Sequence, residues 1–145
     1  MLVIIDLERV NRGEAPVAGL TRPLDRQAQR AAAAGIDPAI GFGDIWEGGP
    51  NSTAEADYGW MYDDGRGSGN LDCPRSGGPG CWGHRHGILD NFGTVGAMVM
   101  GTAFDPTGDN AASGWAGGTS MAATLAAVLH PPSSYVYTWA EATAP

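Results

Sequence analysis

Two long apolar runs built mainly from small residues, 95–104 and 119–129, constrain this chain more than any other feature. Neither contains a charged side chain, and each is bounded by turn-forming residues, the pattern of a buried strand. Residues 105–118 between them are dense in Gly, Asp and Asn and contain Pro106, so they read as a turn-rich hairpin connector. Two buried strands joined by such a connector predict an antiparallel pair at the centre of the fold.

The remaining elements read as helices that flank this pair. Leu2, Val3, Ile5, Leu7 and Val10 suit a helix over 2–12, with Gly13 as its stop. Thr21 reads as an N-cap ahead of Pro23 and Asp25, opening an alanine-rich helix over 22–34 that ends at Gly35. Ser52 with Glu55 three residues later is a capping-box pattern and opens a helix over 53–62. Its Ala56 and Trp60 share a face, with Tyr58 and Tyr62 on a neighbouring one. Residues 82–89 read as a short helix, 40–45 as a short strand and 135–139 as a final strand or ordered tail. The expected fold is α+β: an α-β-α sandwich with a small antiparallel sheet flanked by helices, one domain over 1–145.

With 145 residues, 43% hydrophobic and 17% charged, the chain can bury a core. The formal net charge is −8, and all 8 basic residues are Arg. No basic stripe exists for phosphates, which excludes nucleic-acid partners. No apolar run is long enough to span a membrane, and the expected state is a monomer. The opening Leu2-Val3-Ile4-Ile5 lacks the features of a signal peptide.

Cys73 and Cys81 lie eight apart in a loop rich in Gly and Pro. That spacing favours a local disulfide worth roughly 2–3 kcal/mol; the alternative is a pair of free thiols. Another is a zinc site shared with His84 and His86, although the spacing is uncommon for one. A disulfide would place the mature protein outside the cell.

The most specific residues are Gly43-Asp44-Ile45, then Trp60-Met61, then Gly83-His84-Arg85-His86-Gly87-Ile88-Leu89. Their succession resembles that of bacterial members of the CAP superfamily (cysteine-rich secretory proteins, antigen 5, pathogenesis-related 1). Val95-Gly96-Ala97-Met98-Val99 is similar to the strand that follows in that family, and Leu7-Glu8-Arg9-Val10-Asn11 resembles its first helix. The resemblance implies an α-β-α sandwich with a cleft over the sheet, and a secreted, extracellular protein. It also implies a cleft of two His and two acidic residues, on which His84, Asp44 and Asp63 fall. The second His would lie within 32–42, where none occurs. A divalent metal, Zn²⁺ or Ca²⁺, on His84, Asp44 and Asp63 therefore starts from an incomplete set.

Glu47 is a further candidate that the family pattern does not supply, because it stands between Trp46 and a Gly-Gly pair. His84, Asp63 and Glu47 form the candidate catalytic set, with Glu47 or Asp63 as the acid of a paired-carboxylate glycoside hydrolase. Trp46, Trp60 and Trp82 would serve either as sugar-stacking faces or as core. The expected ligand is a small molecule, a glycan or a cell-envelope component; a structural or adhesive module is the alternative. Gly118-Thr119-Ser120-Met121-Ala122 matches a serine-protease nucleophile motif, but the chain is too short for that scaffold. His84, at a helix start, is expected to have a lowered pKa, opposed by a carboxylate such as Asp63 or Asp44. His86 should point elsewhere.

Overall fold

The computed structural model describes residues 1–38, 43–70, 72–93, 96–108 and 118–145. The first part of the expected strand at 40–45, Val95, and most of the 105–118 connector lie outside them. In chain order the elements are α1 (Leu2–Val10), β1 (Gly19–Leu20), α2 (Arg22–Ala34), β2 (Gly43–Gly48) and α3 (Thr53–Tyr62). There follow α4 (Gly83–Leu89), β3 (Ala97–Asp105), β4 (Ser120–Val128), β5 (Tyr137–Thr138) and α5 (Trp139–Ala142). The fold is α+β, as expected.

The two small-residue runs are the central strands. β3 and β4 pair antiparallel from Ala97↔Val128 to Asp105↔Ser120, and β2 joins the outer side of β4 from Gly43↔Leu125 to Gly48↔Ser120. The sheet order is β2-β4-β3-β1-β5. It is mixed rather than wholly antiparallel, because Leu20 of β1 pairs parallel with Met100. Ala18 N–H donates to Met98 O at 2.8 Å and Thr21 N–H to Met100 O at 2.9 Å. The link between α1 and α2 thus runs briefly alongside β3 before Thr21 turns it into a helix. Two residues carry no periodicity, so the sequence does not announce this strand.

Helices cover both faces. On β2, β3 and β4, Ile45, Met98, Met100, Met121, Ala123 and Leu125 pack with Leu2, Ile5, Trp60, Met61 and Ile88 from α1, α3 and α4. Ile45, Trp60, Ile88, Met100 and Leu125 are all completely buried, each worth roughly 1.5–3 kcal/mol. On the opposite face, Ala28, Ala31 and Ala32 of α2 pack on Ala122, Ala103 and Trp46. The order is α-β-α.

The caps follow the sequence with informative departures. Gly35 closes α2 in the left-handed region at φ 63°. Thr21 stands at the N-cap, but its side chain makes no capping bond. At α3, Ser52 Oγ accepts from Glu55 N–H, whereas Glu55 Oε2 accepts from Asn51 N–H, one residue before the box position. A complete capping box occurs instead at Thr138 and Glu141, opening the short α5. Cys73 and Cys81 are joined by a disulfide, with Cα atoms 4.5 Å apart. The free-thiol and zinc alternatives are thereby set aside.

Candidate functional site

The site forms where α4 begins, over one edge of the sheet. β2 reaches further than the expected strand, so Glu47 lies on it and not in a following turn. Successive side chains of a strand alternate between faces. Ile45 and Glu47 therefore face α1, α3 and α4, while Asp44 and Trp46 face α2. Gly87 of α4 sits on Gly43, where a Cβ on Gly87 would come within 3.2 Å of the Gly43 Cα. That close approach sets α4 against β2 and brings its first turn toward Glu47.

The chain enters α4 through Trp82, which adopts the left-handed region at φ 62°. Its ring lies on Gly65, where a Cβ would meet the indole at 2.7 Å. Arg85 places its guanidinium 5.7 Å from the Trp82 ring centroid. Trp82 thus touches both Gly65 and Arg85 where the chain enters the helix that carries His84.

Asp64, just after α3, is completely buried. Its carboxylate accepts from His84 Nδ1 at 2.7 Å, from Asn70 Nδ2 at 2.5 Å and from Arg85 N–H at 3.3 Å. Asn70 Nδ2 also reaches Gly80 O at 3.1 Å. The disulfide-closed loop and α4 are therefore anchored on one buried carboxylate. On the other side of the ring, His84 Nε2 lies 3.5 Å from Asp37 Oδ1. Burial draws the His84 imidazole toward its neutral form, but Asp37 and Asp64 outweigh it and raise the pKa to about 10. This reverses the lowered pKa expected from a helix start: two carboxylates within contact distance exceed the field of a seven-residue helix.

Glu47 shows the opposite tendency. Its carboxylate lies against α3 at Gly59, where a Cβ would approach Oε2 to 2.7 Å. Burial lifts its pKa to about 7; His84 opposes the rise, and Asp63 and Asp64 add to it. Asp63 itself is exposed at the C-cap of α3. The site therefore combines a carboxyl poised near neutrality with an imidazolium locked between two carboxylates.

The expected residues divide accordingly. The structure brings Glu47, His84 and Asp63 into one electrostatic neighbourhood, and it leaves Asp44 on the α2 face of the sheet. Both ring nitrogens of His84 already face carboxylates, and among the described residues no three His, Cys, Asp or Glu side chains converge as metal ligands. The set His84, Asp44 and Asp63 does not fit Zn²⁺ or Ca²⁺. His86 is exposed. Asp64 and Asp37 were not among the expected site residues. Asp64 was obscured by its neighbour, since only the register of the last turn of α3 decides which of two adjacent aspartates turns inward. Asp37 follows α2 in a stretch with no motif to mark it.

The tryptophans act mainly as packing. Trp60 is core, Trp46 donates to Ser120 Oγ at 2.6 Å, and Trp82 remains 38% exposed. Ser120, the serine of the protease-like motif, is buried at the start of β4. No helix among the described residues is long and apolar enough to cross a membrane. Compared with family models, curated proteins and solved structures, the chain matches none.

Proposed function

We propose that this chain is a secreted CAP-like domain that binds a small polar or carbohydrate ligand of the cell envelope at Glu47, with His84 as the positioning residue. The observation that carries this reading is the pairing of Glu47, held near pKa 7, with His84 fixed by the buried Asp64. At neutral pH a carboxyl in that state both donates and accepts hydrogen bonds, which suits hydroxyl-rich ligands. The imidazolium beside it supplies a fixed positive charge. The succession of Gly43-Asp44-Ile45, Trp60-Met61 and Gly83-His84-Arg85 supports the family reading, and the disulfide is compatible with an extracellular setting.

A second reading has its own support. A half-buried carboxyl with a pKa near 7 is the form a glycosidase uses as general acid, and Asp63 is the nearby carboxylate not engaged by His84. In that case Glu47 would protonate the leaving oxygen and Asp63 would serve as base or nucleophile.

Thermal shift and saturation-transfer NMR against a panel of cell-wall oligosaccharides, followed by a reducing-sugar assay, separate the two. Binding that Glu47→Gln weakens by about tenfold or more (~1.4 kcal/mol), with the fold retained and no sugar released, supports the binding site. Turnover abolished by Glu47→Gln supports the hydrolase. Ligand binding unaffected by Glu47→Gln contradicts both.

A further inference from the structure

A cavity lies away from Glu47, on the α2 face of the sheet. Its volume is about 540 Å³, within the range of roughly 300–1,000 Å³ typical of small-molecule sites. It opens between the first turn of α2, the ends of β3 and β4 that lie furthest from Glu47, and the segment at 130–136. Val99, Val128 and Tyr135 contribute to its apolar wall, and Arg22, Arg26 and His130 stand at its edge.

The charge of this edge runs against that of the molecule. The chain carries −8 overall and has only 8 Arg and 3 His, yet two of those arginines and one histidine gather here, and no acidic side chain lines the cavity. None of the three takes part in the ion pairs formed among the described residues, which join Glu8 to Arg12 and His84 to Asp37 and Asp64. The carboxylate of the first turn, Asp25, feels the charge of Arg22 but is turned toward β3, where it accepts from Thr102 N–H at 3.1 Å. Cations outside these ion pairs, beside an apolar hollow, complement a ligand with an apolar body and one negative end.

We propose that this cavity binds a hydrophobic monocarboxylate, its body against Val99, Val128 and Tyr135 and its carboxylate at Arg22 and Arg26. An aliphatic and an aromatic acid share that chemistry, so decanoate and 2-naphthoate are the probes, each compared with the neutral alcohol of the same body by isothermal titration calorimetry. Saturable binding of at least one acid is expected, with its alcohol roughly tenfold or more weaker (~1.4 kcal/mol). The acid that binds more tightly identifies the shape of the natural body. The Arg22→Gln/Arg26→Gln double variant changes exposed side chains, and it should lose the preference for acid over alcohol while keeping the wild-type melting temperature. In the wild-type protein, acid affinity should fall with added salt while alcohol affinity does not; this arm requires no variant. The proposal is overturned if neither acid binds saturably, if an alcohol binds as tightly as its acid, or if salt and the double variant leave acid binding unchanged. None of these outcomes depends on the role of Glu47.

Discussion

On the α2 face of the sheet, backbone meets backbone. Gly101 lies under the start of α2, where a Cβ would fall 2.0 Å from the Leu24 carbonyl carbon, and alanines face alanines beyond it. The other face is filled by Trp60, Ile45, Ile88 and the methionines, and it contains buried charge as well. Arg9 is completely buried and donates to Ala15 O, Ile88 O, Asp90 O and Asn91 Oδ1. Asp6, also buried, accepts from Val17 N–H at 2.6 Å. One face gains its stability from close approach. The other uses bulk plus polar anchors, and Glu47 of β2 and His84 of α4 belong to that same side of the sheet. The buried polar groups that bear chemistry are on the face whose elements are short and whose links need side chains to hold them.

The largest expected effect comes from removing the anchor that ties α1 to the end of α4. Arg9→Ala leaves the carbonyls of Ile88 and Asp90 without their donor and opens a cavity, so chemical denaturation should show a loss of about 4 kcal/mol. A loss under about 1 kcal/mol would show that water replaces the guanidinium and that the anchor is dispensable.

The same glycine substitution on each face sharpens the contrast. Gly101→Ala drives a methyl into rigid helix backbone and should cost about 3 kcal/mol. Gly59→Ala meets only the end of the Glu47 side chain, which can move, and alanine gains roughly 1 kcal/mol in helix propensity. Its net effect should stay within about 1 kcal/mol while Glu47 is displaced. Equal losses at both positions would remove the distinction between the two faces.

What the sequence revealed follows the same division. β3, β4, α2 and α3 were readable because composition, periodicity or capping pattern repeats over many residues, and the alanine run needs no long-range partner to be recognised. Glu47 stood out because a charge beside Trp46 and two glycines is unusual. Asp64, Asp37 and β1 depend on contacts between segments distant in the chain, which no local pattern records. The expected metal set failed for a related reason. The alternation of β2 sends Asp44 and Glu47 to opposite faces, and the start of that strand could not be fixed from its own residues.

Smaller effects concern pH. Glu47 has its pKa raised from 4.5 to about 7, so between those values only the folded chain holds the proton. Stability therefore falls as pH rises through that window. The His84 pKa is raised from 6.5 to about 10, so its contribution is complete below 6.5 and is lost as pH rises through 10. Asp6 and Asp57, both raised to about 6, add to the lower part of the decline. In thermal melts, Glu47→Gln should make the decline between pH 4.5 and 7 shallower, leaving the part due to Asp6 and Asp57 below about 6 and the decline above pH 8 in place. An unchanged slope below pH 7 would mean that Glu47 ionises as an ordinary surface carboxylate.

The site rests on two opposed protonation states side by side, and an NMR pH titration reads both at once. With ¹³C-labelled Glu side chains and ¹⁵N-labelled His, the Glu47 carboxyl should titrate near pH 7, while the His84 ring stays an imidazolium through neutrality and loses its proton only near pH 10. A His84 ring that becomes neutral near pH 6.5 with Glu47 ionising near 4.5 would contradict the account, since neither the Asp64 clamp nor the buried carboxyl beside it would then exist in solution.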